Sequence, residues 1–220
     1  LADTYLFNNY ASPAMQNFVP TTYEGYEEGI IPDSAETYMI YQEGIYVGYR
    51  YYDLHKNGFI MPFGYGLSYT QFDYSNMSVK YNAETDQFEV SVNVTNIGNA
   101  AGKETVQIYS QSPYTEYDKE NKVEKPSVAL CGFGKTKILE PGHSEIITIY
   151  VDKRDLASYD YTGAKTYILD AGNYYLTAAT DAHNAVNNVL AAKGYTVENT
   201  NGKMDVDGNA KLACKWSQVE

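Results

Sequence analysis

The chain has 220 residues, of which 44% are hydrophobic, enough to bury a core without disulfide or metal staples. Its formal net charge of −12, with no clustered Lys or Arg, excludes a nucleic-acid backbone as partner, and the lack of any long apolar run gives no expectation of a membrane span. Tyrosine dominates the aromatics with 24 copies and suits half-buried strands, so the composition leans towards β structure.

Residues 1 to about 40 mix Pro, Gly, Asn and Tyr without helical or strand periodicity. They read as extended chain lying on a surface that belongs to protein outside this sequence. Starting at Leu1, with no initiator Met and no signal-peptide pattern, the chain reads as a piece of something longer. YQEGIYVGYRYYDLH, residues 41–55, is the first dense apolar stretch, and its period fits strand and helix equally. GFIMPFGYGLSYTQF, residues 58–72, carries three glycines and five aromatics, too irregular for a helix and too glycine-rich for an ordinary strand.

From Phe72 onward the pattern sharpens. QFEVSVNVTN alternates, with Phe88, Val90, Val92 and Val94 on one face, as a half-buried strand requires. FDYSNMSVKY precedes it, ETVQIYSQS and SVALCGFGKTKIL follow, and EIITIYVD places Ile147, Ile149 and Val151 together. TYILDAGNYYLTAAT reads as strand, tight turn, strand. About seven short strands with regular turns predict an immunoglobulin/fibronectin type III-like antiparallel β-sandwich, an all-β class. The Tyr after the glycine turn in DAGNYYL resembles the tyrosine corner of such sandwiches. In TDAHNAVNNVLAAKG, Ala182, Ala185, Val186, Val189 and Leu190 form one helical stripe, with Thr180 or Asp181 as N-cap and Gly194 as the stop. The remaining tail is polar and shows no closing element.

Chemistry is sparse. Acidic residues are scattered through turns and polar strand faces, so no catalytic carboxylate pair emerges by spacing. His55, His143 and His183 sit in three separate contexts, none with ligand or triad spacing. KMDVDGN, residues 203–209, fails as a calcium loop: aligning Gly208 with the invariant glycine puts Lys203 and Cys214 at ligand positions. Asn76 and Asn93 lie in Asn-x-Ser/Thr sequons. Cys131 and Cys214 fit either a disulfide or two free thiols. No catalytic residue, metal site or cofactor is assigned.

Two blocks then carry a resemblance. EGIYVGYRYYD, residues 43–53, followed by PFGYGLSYTQF, residues 62–72, resembles the C-terminal region of glycoside hydrolase family 3, the β-glucosidases and their relatives. VNVTNIGNAAGKETVQIY, KPSVALCGFGKTKILEPG and DAGNYYL add family-like marks in order, so the resemblance covers roughly residues 38–180. Cys131 stands where a Lys is common, a Trp usual in the penultimate strand is missing near Thr166–Ile168, and the residues after 180 are additions.

The resemblance implies a division into residues 1–57 as the edge of an α/β sandwich domain, 58–72 as an interdomain connector and 73–180 as a fibronectin type III-like domain. Residues 181–220 are a helix and polar tail, with a lead into another domain of a longer chain as the expectation. It further implies interdomain structural roles for Tyr49, Arg50, Asp53, Phe63, Tyr65, Tyr69 and Phe72. Phe63, Tyr65, Tyr69 and Phe72 would anchor the connector by apolar burial, and Arg50 would make an ion pair or cap carbonyls. The parent would be a retaining, exo-acting β-glycosidase acting on oligosaccharides, with its catalytic domains in the same polypeptide or a companion chain. Its nucleophile lies outside this chain, and none of Glu24, Glu27, Glu28 and Glu36 matches the setting of its acid. A carbohydrate-binding sandwich without hydrolytic activity, and a plain interaction domain, are the alternatives.

Overall fold

The computed structural model describes residues 2–8, 21–22, 37–38, 43–53 and 59–219. Strands β1 (Tyr5–Leu6), β2 (Thr21–Thr22) and β3 (Thr37–Tyr38), one helical turn α1 (Tyr49–Tyr52) and β4 (Phe59–Met61) come first. β1 pairs with β4, and β2 with β3, both antiparallel. Tyr5–Leu6 thus pairs with Phe59–Met61, more than fifty positions along the chain. Residues 43–53 show no sustained period because Gly44 and Gly48 turn through φ of 58° and 60°, leaving room for α1 alone.

The sandwich strands are β5 (Phe72–Asn82), β6 (Gln87–Asn96), β7 (Thr105–Gln111), β8 (Ala129–Lys135) and β9 (Ser144–Asp152), with helix α2 (Glu116–Asn121) between β7 and β8. The ribbon β10 (Ser158–Asp160) and β11 (Thr166–Ile168), strand β12 (Gly172–Ala179), helix α3 (Ala182–Ala192) and strand β13 (Ala213–Gln218) complete the chain. Three strands form one sheet in the order β5-β6-β9, and four form the other in the order β13-β12-β7-β8. Phe88, Val90, Val92 and Val94 are wholly buried and meet Val106, Ile108, Tyr174 and Leu176 of the facing sheet. Tyr174 donates from its hydroxyl to the Asp170 carbonyl at 3.0 Å, the bond of a tyrosine corner.

The central strands β7 and β12 of the four-stranded sheet are covered on both faces. Val106 and Ile108 point into the sandwich, while Tyr109 joins Ala179, Ala182, Val186 and Val189 beneath α3, with Tyr49 and Phe63 packed on the same cluster. With this second core, β7 is buried on both faces from Val106 to Ser110, and β12 from Leu176 to Ala179. Helix α3 begins at Asp181, whose carboxylate accepts from Asn184 N–H at 2.8 Å, and ends before Gly194 at φ 85°, as its sequence signals require.

Two expectations are corrected. Thr166–Ile168 does not enter the sandwich; it pairs with β10 in a separate ribbon. The Asp160 carboxylate gathers the N–H groups of Thr162, Gly163 and Ala164 and so folds this segment back on itself locally. The seventh sandwich strand is β13, from the tail that showed no closing element. Trp216 lies opposite Tyr174 and Cys214 opposite Leu176, so Leu212, Cys214 and Trp216 face inward amid polar neighbours. Trp216 packs against Phe88 with ring centroids 4.9 Å apart.

Cys131 and Cys214 are free. They occupy opposite edge strands of the four-stranded sheet, three strand spacings or roughly 14 Å apart, beyond the reach of a disulfide. Burial pushes the Cys131 thiol up to about 12.

Candidate functional site

The junction where residues 43–72 meet the sandwich gathers most of the residues that the sequence singled out. It is built on Gln107 and Tyr109, whose side chains leave the outer face of the four-stranded sheet. Gln107 donates to the Gly64 carbonyl at 3.2 Å and to the Thr180 carbonyl at 2.6 Å, and accepts from the Tyr109 hydroxyl at 2.6 Å. One side chain thereby fixes the connector and the start of α3 on the same strand. Burial raises the Tyr109 hydroxyl far above the usual phenol range, keeping it a neutral donor.

Tyr49 lies tilted against Phe63 at 4.9 Å and edge-on to Tyr109 at 6.2 Å, and its hydroxyl accepts from Leu130 N–H at 3.0 Å. The Phe63 carbonyl accepts from Ala182 N–H at 2.9 Å, so the connector backbone satisfies a free donor in the first turn of α3. At the other end of the connector, Thr70 is buried and donates to Asn96 Oδ1 at 2.6 Å. Asn96 also donates to the carbonyls of Ala100 at 2.8 Å and Leu139 at 2.7 Å, so this fully buried amide is satisfied. Phe72 then enters β5 and packs on the sandwich core.

Phe63 packs on the cluster beneath α3, Phe72 packs on the sandwich core, and Tyr65 is half-buried. Tyr69 is fully exposed, where the chain turns Thr70 inward. Among the described residues Arg50 is half-buried at the last turn of α1 and has no ion-pair partner. Asp53 meets the helix histidine His183, with Oδ1 at 3.2 Å from Nδ1. His55 lies outside the described residues.

Beside the connector runs a groove of about 740 Å³, lined among others by Phe63, Leu67, Lys103, Gln107, Phe133 and Lys135. Two exposed apolar side chains stand on it, Leu67 at 86% and Phe133 at 71% exposure, beside Lys103 and Lys135. Phe133 faces outward because its neighbours Gly132 and Gly134 take the inward positions of β8. A Cβ there would lie 3.0 Å from Ile149 and 2.9 Å from Ile147 of the facing sheet. Residues 203–209 are a docked turn rather than a cation loop: Asp205 accepts from Asn187 at 2.8 Å and Asp207 from Val197 N–H at 3.2 Å.

Gln107, Asn96 and His183 were not singled out as junction residues. Asn96 did carry a signal, since it continues the inward register of Phe88 to Val94 with a polar side chain. Gln107 is, with Ser110, a buried polar residue in a strand covered on both faces. His183 carried none, because its partners are remote in sequence.

Residues 104–182 match the family model described as a fibronectin type III-like domain. Over 151 residues the chain is 44% identical to a beta-glucosidase of Ruminococcus albus, an alignment covering 66% of this chain and 15% of that protein. Its structure is similar to that of beta-glucosidase 3B from Thermotoga neapolitana, with a TM-score of 0.69 at 27% identity over 99% of this chain and 24% of that one. It is also similar to a GH3 beta-glucosidase from Bifidobacterium adolescentis, with a TM-score of 0.66 at 31% identity over 83% of this chain and 24% of that one. The chain therefore spans less than a quarter of the length of each of these relatives.

Proposed function

We propose, from the premise that this chain belongs to the C-terminal region of the glycoside hydrolase family 3 proteins, that it braces the catalytic domains of a β-glucosidase-like parent. The parent removes terminal β-linked sugars by a retaining mechanism, with nucleophile and acid both supplied outside these residues. Residues 1–57 belong to the edge of the neighbouring α/β domain, residues 58–72 are the connector, and residues 73–180 with β13 form the brace. The observation that carries this reading is the outward face of the connector. Leu67 and Tyr69 are exposed on a backbone fastened at both ends by Gln107 and Asn96, and Phe133 lines the same groove as Leu67. Rigid support beneath exposed apolar side chains is what a docking face for another domain requires.

The test is hydrolysis of an aryl β-glucoside by this chain alone and by the chain joined to its catalytic domains. Turnover is expected only from the joined protein. Leu67→Asp with Phe133→Asp should leave the isolated chain as stable as before and cut activity of the joined protein about tenfold, equivalent to about 1.4 kcal/mol of lost positioning. Turnover by the isolated chain, or full activity of the doubly substituted joined protein, overturns the reading.

A further inference from the structure

His183, in the first turn of α3, is where three segments remote in sequence meet. Its Nδ1 lies 3.2 Å from Asp53 Oδ1, just after α1, and its Nε2 lies 2.9 Å from Asp205 Oδ1 in the 203–209 turn. The Asp53 side chain is 3% exposed and that of His183 18%. The turn bearing Asp205 is itself pinned to α3, through Asn187 to Asp205 at 2.8 Å and Asn209 N–H to Asn188 at 2.8 Å. The Phe59 ring of β4 closes another side, edge-on at 5.4 Å.

An ionised carboxylate offers acceptors only, so both ring nitrogens are satisfied together only when each carries a proton. A neutral imidazole would turn one bare nitrogen lone pair towards a carboxylate oxygen. The helix does not favour the cation, since its first turn is the positive end of the dipole. The two carboxylates must therefore hold the charge. Asp181 also faces Asp53, while Lys193 and Lys203 line the recess that Asp53 borders. Burial pulls the His183 imidazole down, but the Asp53 hydrogen bond and the Asp205 charge outweigh it and raise the group above its ordinary value. Burial also raises Asp53, offset in part by His183. Asp205 is lowered, because the hydrogen bonds from Asn187 and His183 and the imidazolium charge outweigh burial.

We propose that Asp53, His183 and Asp205 form a proton-dependent latch that fastens the α1 junction to helix α3 and to the 203–209 turn. The latch is closed on the imidazolium and released when it loses its proton. Because folding raises the histidine, the latch's contribution is complete below the unfolded value of about 6.5 while Asp53 stays ionised. It is lost as pH rises through the higher folded value. The latch concerns this chain's own hold on its junction and does not rest on the hydrolase reading.

The test titrates the ring nitrogens of His183 by NMR in the whole chain, from about pH 5 to about pH 9, with hydrogen-exchange protection factors of residues 43–53 in the same series. Both ring nitrogens should be protonated at about pH 6, with a midpoint above the ordinary imidazole value. Protection of residues 43–53 should fall several-fold across that midpoint. Asp205→Asn should move the midpoint down, and His183→Gln should abolish the pH dependence of protection. A neutral His183 ring at about pH 6 overturns the proposal, as does an undiminished pH dependence in His183→Gln. If His183→Gln does not fold, the ring titration of the unsubstituted chain and of Asp205→Asn decides it.

Discussion

Asp160 has no exposed surface, yet its surroundings favour the charged form. The Ala164 N–H, the Tyr117 hydroxyl and the Gly163 N–H, at 2.7, 2.7 and 2.8 Å, hold its carboxyl down at about 2. An unfolded aspartate titrates at about 3.9, so the folded state gains from this group at all pH values above about 4. The gain is lost as pH falls towards about 2. Asp160→Asn should lower stability at neutral pH and flatten the acid limb between about pH 4 and pH 2, read as urea midpoints over a pH series. Acid limbs that run parallel in the two proteins would show that the turn at residues 160–164 does not depend on the charge.

At the scale of elements, the segment between β7 and β8 is held by a buried cation. Lys125 Nζ donates to Asp118 at 2.8 Å, to Asp170 at 2.5 Å and to the Pro113 carbonyl at 2.8 Å. Asp118 in turn caps α2, accepting from Thr115 N–H at 2.7 Å. The helix is thereby tied to the turn that opens β12. Lys125→Ala leaves two carboxylates without their cation and should cost about 3–5 kcal/mol, measured by urea unfolding. Adding Asp118→Asn to Lys125→Met should recover part of that loss. A loss below about 1 kcal/mol would mean that the ammonium site is wet and exchangeable.

Element by element, legibility followed how local the cause was. β6 has one buried face, so its alternation gave both its existence and its inward residues, and α3 carried its stripe, its Asp181 cap and its Gly194 stop. β7 and β12 are buried on both faces, so their runs revealed strands but not the second core beneath α3. β13 was hidden because three inward side chains, Leu212, Cys214 and Trp216, are too few to stand out in a polar tail. The ribbon β10–β11 mimicked a sandwich strand because three residues of TYI carry no sign of which sheet they join. At the junction, Phe63 and Phe72 stood out as large apolar side chains, and both pack against buried cores. The pairing of His183 with Asp53 spans 130 positions, and no local pattern encodes it.

At the scale of the whole molecule, one sheet is sandwiched between two apolar cores, and its edge is closed by a strand from the far end of the described chain. Trp216, the one tryptophan, sits among Phe88, Tyr81 and Tyr174, so its fluorescence reports closure of that edge. Truncation after Leu212 should bare the β12 edge, remove these ring contacts and cost at least about 3 kcal/mol, seen as a lower urea midpoint by far-UV circular dichroism. An unchanged midpoint would show that β13 lies outside the cooperative unit.

The position of β13 also sets an order in time. Translation proceeds at about 5–20 residues per second, and β5 to β12 emerge well before the strand that completes their sheet. Until Trp216 and its neighbours leave the ribosome, the nascent chain presents an unpaired β12 edge beside a half-closed core. That interval is a window in which the edge can recruit a strand from another nascent chain.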